Sequence, residues 1–503
     1  MANTVPIKIK HSGKQYDATV DLDLPGRAFK EQVHQLTGVE PDKVKVVVKG
    51  GMLKDDADMK KLGFKQGQIV MVIGPAGPLP QAPTKPVMFM EDMTDVELAQ
   101  AVKTPVGLQN LGNTCYMNST VQVLRAIPEL QDALNSASLT RNGQTATGLT
   151  SSLRDLYSNM SKTSQDFPPL VFLQMLRTFA PQFAEMSRSG GGYAQQDAQE
   201  AWASIVQAVK NTLGDGGNRF IDQYLTGEMT KTLQSDEAPE EPPTTSKDTF
   251  LDIKCNISST TNFMMSGIVE GLESTLEKTS PTLGRQAVYK EKSRISRLPS
   301  YLTINLVRFY WRRDISKKTK IMRKIKFPFD LDVMELLTDE LKAKIAPVND
   351  KLKSIEKDRR DRAKVRRRTK VLQEASATGA STTAPLQGPE GIQANPEDDP
   401  PEQMAVDEPA KPEIEVDEPT KRKQEREELA QLLDEDLKND KGANVTGMYE
   451  LNSDEFEDPD KQQWYKFDDD KVSQVSKDKI TLLEGGGEDH SAYILLYRSK
   501  RID

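Results

Sequence analysis

Prolines at 75, 78, 80 and 83, with Gly74 and Gly77 among them, divide this chain before any other feature is weighed. Residues this poor in backbone donors continue neither a strand ladder nor a helix, so Gly74 to Lys85 reads as a semi-extended linker. The residues before the linker must fold by themselves, and the longer stretch after it must hold the larger core. With 503 residues, that longer stretch has ample apolar material for one.

The first 74 residues read as a small α/β module. Val5–Lys10 and Tyr16–Val20 alternate apolar with polar and form a hairpin turned near Ser12-Gly13-Lys14. Phe29, Val33 and Leu36 mark a short amphipathic helix ended near Gly38, and Val44–Val48 and Gln68–Ile73 are two further strands. The order β-β-α-β-β packs one helix face on one sheet face. The linker region is placed at 75–104 and the second body at 105–500. In that body the helical patterns come early (Asn118–Leu124, Phe172–Phe179, Gln195–Leu213). The strand patterns come late (Leu251–Ile257, Tyr301–Phe309, Ala492–Tyr497), and the fold class is α+β.

Composition constrains the remainder. Apolar residues are 36% and charged residues 29%, with a mean hydropathy of -0.60. That is wet for a compact body of this length and calls for linker or insert. Thr338–Gln373 is a long, intensely charged helical run, and 374–425, rich in Ala, Ser, Thr, Pro and acid, reads as a disordered acidic insert inside the second body. The basic run Lys364–Lys370 has no interleaved aromatics, so it is read as a solvated or internally paired face. The net charge of -8 argues against a nucleic-acid partner. Two cysteines (Cys115, Cys255) and three histidines (His11, His34, His490) exclude a disulfide scaffold and a four-cysteine zinc site. No metal and no cofactor is expected. No apolar run is long enough to cross a bilayer and nothing resembles a signal peptide, so a cytoplasmic and nuclear protein is expected.

The strongest local signal is Gly107-Leu108-Gln109-Asn110-Leu111-Gly112-Asn113-Thr114-Cys115-Tyr116-Met117-Asn118-Ser119. A glycine-bearing loop runs into a helix, with Cys115 where the helix should begin. Free N–H groups and the helix dipole there favour a thiolate. With the amide of Asn110, the same N–H groups can meet an oxyanion. The plainer reading of a single intracellular cysteine is a small buried hydrophobe, which is the reading given to Cys255 in its strand pattern.

The run around Cys115 resembles the cysteine box of the ubiquitin-specific proteases, a papain-like family. The likeness continues through Gly192-Tyr193-Ala194-Gln195-Gln196-Asp197-Ala198-Gln199-Glu200, through Pro299–Phe309 and through Trp464-Tyr465-Lys466-Phe467-Asp468-Asp469-Asp470-Lys471-Val472. The amino-terminal module resembles ubiquitin, a β-grasp fold. A ubiquitin-like domain, a linker and a zinc-free catalytic domain together are similar to the proteasome-associated branch of the family. The resemblance implies a thiol-dependent deubiquitinase with Cys115 as nucleophile, Asn110 as the oxyanion-hole amide, and Asp468 orienting the base, with Asp469 the runner-up. It implies ubiquitin and polyubiquitinated proteins as partners, and docking of the ubiquitin-like domain on the base of the proteasome regulatory particle.

The pattern fails at one place. The family carries its histidine in a Gly-His-Tyr box shortly before the Trp-Tyr-Lys-Phe-Asp-Asp stretch, and the corresponding residues, 442–456, contain no histidine. His490 lies past Gly485-Gly486-Gly487 and reads as a loop or strand-edge residue, and His11 and His34 belong to the first module. Between Leu451 and Trp464 only Phe456 is large and apolar, so two central strands are missing together with the base. The first explanation is a segment omitted from this form of the chain. The alternative is a hydrolysis-deficient, ubiquitin-binding proteasome regulator.

Overall fold

The computed structural model describes residues 3–49, 51–75, 93–102, 105–137, 145–187, 190–215, 218–312, 317–377, 418–451, 464–487 and 490–500. The chain separates into two compact units, Met1–Met93 and Thr94–Asp503. The expected linker falls largely outside the described residues, as does most of the expected insert. The ends of that insert span are helical instead, up to Ala377 and again from Glu418.

The first unit contains β1 (Thr4–His11), β2 (Lys14–Asp21), α1 (Gly26–Thr37), β3 (Lys45–Val48), β4 (Gly51–Met52) and β5 (Ile69–Ile73). Ser12 and Gly13 both take positive φ, 44° and 81°, and close the β1–β2 hairpin in two residues with the right twist. The sheet order is β2-β1-β5-β3-β4, with β1 and β5 parallel. Alternation decides the two faces. Ile7, Ile9, Val20, Val46, Val70 and Val72 are buried with Phe29 and Val33 of α1. Val47, Ile69, Met71 and Ile73 face outward, each between 41% and 55% exposed. This is the expected β-grasp module, with β4 and a 3-10 turn at Met59–Leu62 added.

The second unit opens with α2 (Asp95–Val102), α3 (Cys115–Arg125), α4 (Pro128–Ser136), α5 (Thr145–Met160), α6 (Leu170–Phe179) and α7 (Ala198–Asp215). It continues with β6 (Gly227–Gln234), β7 (Thr244–Phe250), β8 (Ile253–Cys255), α8 (Met264–Gly271), β9 (Glu273–Thr279), β10 (Gln286–Arg297), β11 (Tyr301–Leu306), β12 (Phe309–Arg312), β13 (Lys317–Lys320) and β14 (Asp330–Asp332). It ends with α9 (Asp339–Ala377), α10 (Glu418–Leu432), α11 (Glu435–Asn439), β15 (Met448–Glu450), β16 (Trp464–Asp468), β17 (Lys471–Val475), α12 (Lys477–Thr481) and β18 (Ile494–Ser499). Helices early and strands late give the α+β body that the sequence pattern implies.

Its central sheet runs β14-β15-β18-β11-β8 and lies between two cores. Ile494 and Leu496 of β18 pack on the helical cluster built by α3 to α7, and Leu495 and Tyr497 pack on the other face with Ile304, Leu306 and Tyr449. All six residues of β11 are buried, and it pairs with β18 from Tyr301↔Arg498 to Asn305↔Ile494. On its other edge β18 pairs with β15 only at Tyr449↔Ser499 and Glu450↔Arg498. Arg308 comes just after β11 and is 1% exposed. Its guanidinium donates to the carbonyls of Ala492 (2.8 Å), Arg323 (2.8 Å) and Glu484 (3.0 Å), which ties both sides of the His490 loop to the sheet. Bonds from a charged donor are worth about 1.5–3 kcal/mol each, enough to hold a loop that has little core of its own.

The charged hairpin of α9 and α10 is fastened by Arg359 and Arg362 on Glu425 and by Lys351 on Glu428. Within the basic run itself, Lys364 pairs with Asp361 one turn back, at 3.2 Å.

Candidate active site

The loop before α3 is folded by a side chain. Asn110 Oδ1 accepts from the backbone N–H of Gly112 (3.0 Å) and Thr114 (3.2 Å), and the Thr114 hydroxyl accepts from Leu111 N–H at 3.0 Å. Gly112 at φ 94° and Asn113 at φ 54° turn the chain through left-handed conformations that glycine adopts freely and asparagine more readily than most residues. The result sets Cys115 as the first residue of α3, with its side chain exposed.

A second segment, more than 350 positions away, closes on this loop. Asp469 Oδ2 accepts from Asn110 Nδ2 and Asp469 Oδ1 from Asn118 Nδ2, both at 2.8 Å. Leu108 N–H donates to the Asp469 carbonyl at 2.9 Å. A Cβ on Gly107 would stand 2.3 Å from the Asp470 carbonyl oxygen, so only glycine admits this approach. Asp469 itself has φ 54°, a conformation that Asp tolerates better than most residues.

Cys115, Asn110 and Asp468 line one cleft of about 930 Å³, with Gln195, His490 and Tyr493 also on its walls. The three residues singled out in the sequence are thus brought together. Of the two acidic candidates, Asp469, the runner-up, is the one that binds Asn110 and Asn118. Asp468 is exposed and accepts from Lys466 Nζ at 3.1 Å, and this bond, with the Lys466 charge, holds its carboxyl below the usual range. Residue patterns did not reveal three contacts: the bridge through Asn118, the reach of Gln195, and the place of His490 in the same cleft. Asn118 lies three residues beyond Cys115, a helical spacing that puts the two on neighbouring faces.

Gln195 Nε2 donates to Cys115 Sγ at 3.2 Å. Asp197 accepts from Gln199 N–H at 2.9 Å and from the Tyr493 hydroxyl at 2.7 Å, so it both caps α7 and joins it to the strand that enters the sheet. Cys255, by contrast, is fully buried against the Met264 carbonyl, and burial pushes its thiol up to about 12. Among the described residues no group of three or more His, Cys, Asp and Glu is placed to hold a metal, and no helix is long and apolar enough to cross a membrane.

Residues 106–497 match the family model described as ubiquitin carboxyl-terminal hydrolase, and residues 7–75 match that of the ubiquitin family. Ubiquitin carboxyl-terminal hydrolase 6 of Schizosaccharomyces pombe is 39% identical over 99% of both chains. Ubiquitin carboxyl-terminal hydrolase 6 of Arabidopsis thaliana is 33% identical over 98% of both. Ubiquitin carboxyl-terminal hydrolase 14 of Caenorhabditis elegans is 28% identical over 99% of this chain and 94% of its own.

The two cysteines should separate cleanly in solution. A raised thiol stays protonated, so Cys255 carries almost no thiolate at about pH 8. Iodoacetamide should modify Cys115 in the folded chain and spare Cys255, as read by peptide mass spectrometry. Labelling of both at equal rates would contradict the burial described.

Proposed function

This chain belongs to the ubiquitin carboxyl-terminal hydrolase family, a cysteine-type hydrolase family, and from that premise we propose that it cleaves the isopeptide bond after the terminal glycine of ubiquitin, acting at the proteasome. The observation that carries the reading is the Asp469 bridge, which assembles the Cys115 loop and the acidic loop into one cleft. Cys115 Sγ attacks the glycine carbonyl carbon. The oxyanion is met by backbone N–H groups at the start of α3 and by the Asn110 amide, whose second hydrogen is not taken by Asp469. The amine leaves with a proton from an imidazolium, and water then releases the acyl group from the sulfur. Asp468 is the carboxylate that orients that imidazole.

The imidazole is carried, in this reading, on a strand pair omitted between Leu451 and Asp454. Two features support it. The edge of β18 from Ile494 to Tyr497 has no strand partner among the described residues, although the opposite edge is paired along its length. Trp464 Nε1, on the strand that follows the break, is buried without a hydrogen-bond partner among them. Open edges and orphaned donors are uncommon beside a core, and one further antiparallel strand at this edge meets the first of them. The second reading, a regulator that binds ubiquitin without hydrolysing it, is favoured by the sequence as it stands, with no histidine from 442 to 489.

Docking at the proteasome, and with it a cytoplasmic and nuclear place, is assigned to the first unit. Val47, Ile69, Met71 and Ile73 give its sheet an exposed apolar face of the kind that marks a protein-binding surface. Joined by a proline-rich tether, it raises the local concentration of the catalytic unit at its receptor.

Two experiments test the proposal. The protein bearing the complete segment should form a covalent adduct with a ubiquitin C-terminal electrophile, and its Cys115→Ala variant should form none; equal signals would refute the nucleophile. A truncated protein starting at Lys85 should keep its intrinsic activity and lose co-purification with proteasomes. Undiminished co-purification would remove the docking role.

A further inference from the structure

The Gln195-Gln196-Asp197-Ala198 box is only partly explained by the fold. Asp197 has a structural duty in capping α7 and holding Tyr493. The residues before it are also fixed. Asn113 Nδ2 donates to the Tyr193 carbonyl at 2.9 Å, and the Arg177 guanidinium lies 3.5 Å over the Tyr193 ring. Gln195 therefore sits between two anchored points, two residues from each, while its own side chain is exposed and supports no core. What that side chain does is reach the sulfur. Its Nε2 lies 3.2 Å from Cys115 Sγ, and among the described residues it is the side chain that donates a hydrogen bond to that atom. Arg308, also on the cleft wall, has its guanidinium committed to three carbonyls.

We infer that Gln195 is a catalytic residue of the thiol step: its amide N–H stabilises the Cys115 thiolate and holds the sulfur facing the cleft. A neutral donor suits this place. A hydrogen bond to the charged form favours it, and an amide does so at any pH and without a counter-ion that would compete for the acidic loop. The bond also fixes the direction from which a carbonyl carbon must approach. The inference rests on the reading of Cys115 as nucleophile.

The test uses the full chain and iodoacetamide, a small neutral probe, so it does not depend on ubiquitin hydrolysis. The alkylation rate of the Cys115 peptide is measured at fixed pH for the wild type, Gln195→Ala and Gln195→Glu. Thermal unfolding of each is recorded alongside, and because Gln195 is exposed it should not change. Gln195→Ala should slow alkylation by roughly tenfold, the worth of one hydrogen bond to a charged group. Gln195→Glu should slow it further, since a carboxylate of the same shape sets a negative charge against the sulfur. A merely structural role predicts the reverse order, with the isosteric Glu nearest the wild type. That order, or a wild-type rate in Gln195→Ala, overturns the inference while leaving Cys115 as nucleophile. A wild-type Cys115 that does not react at all removes the nucleophile reading, and the inference with it.

Discussion

The carboxylate of Asp469 holds the side-chain amides of Asn110 and Asn118 at 2.8 Å each, and the placement of everything around Cys115 depends on that bridge. Asn110 is the residue whose own oxygen folds the loop, so Asp469 grips the loop through the part that shapes it. Asn118 belongs to α3, so the same carboxylate fixes the helix against the loop. The backbone bond from Leu108 to Asp469 and the bare Gly107 beside Asp470 complete a seam in which two distant segments touch main chain to main chain. A site of this kind is precise because its parts leave little room to move, as the packing of Asp470 on Gly107 illustrates.

The opposite wall of the cleft is held by a different device. Arg308 binds both ends of the segment that carries His490, and Tyr493 is tied to Asp197 at the start of α7. Beyond these fixed points β18 carries apolar residues on both faces, and among the described residues its outer edge is paired only at Arg498 and Ser499. The Cys115 loop and the acidic loop thus meet in one cleft, and the sheet strand that follows Tyr493 has one edge only partly paired among the described residues.

Much of this was legible from residue patterns, and the failures have physical causes. Strict alternation revealed the strands of the first unit, and the close of its hairpin was readable in Ser12-Gly13. The two-residue β4 has no alternation to read. The cysteine loop was recognisable, and α3 begins at Cys115 as the loop pattern implies, with Thr114 supplying its carbonyl to Met117 and Asn118. By contrast, α7 begins at Ala198 and not at Gln195, because Asp197 caps it, and that shift is what leaves Gln195 free to meet the sulfur. The long α5 was passed over, since Thr and Ser mask a core face of Leu149, Leu153, Leu156 and Met160. No spacing rule could pair Asp469 with Asn118 or put His490 beside Cys115, because such contacts are set by how the sheet and helices pack.

The most direct measurement is the sequence of the transcript between the codons for Leu451 and Asp454. An omitted segment of a few tens of residues is predicted, with two alternating apolar strands and a Gly-His-Tyr box. In the restored protein its histidine should come within roughly 3–4 Å of Cys115 and Asp468, the reach of a hydrogen bond in a resting site. A transcript that reads straight through Leu451-Asn452-Ser453-Asp454, encoding a protein that unfolds cooperatively and shows no thiol-dependent hydrolysis, would contradict this and leave a ubiquitin-binding scaffold in its place.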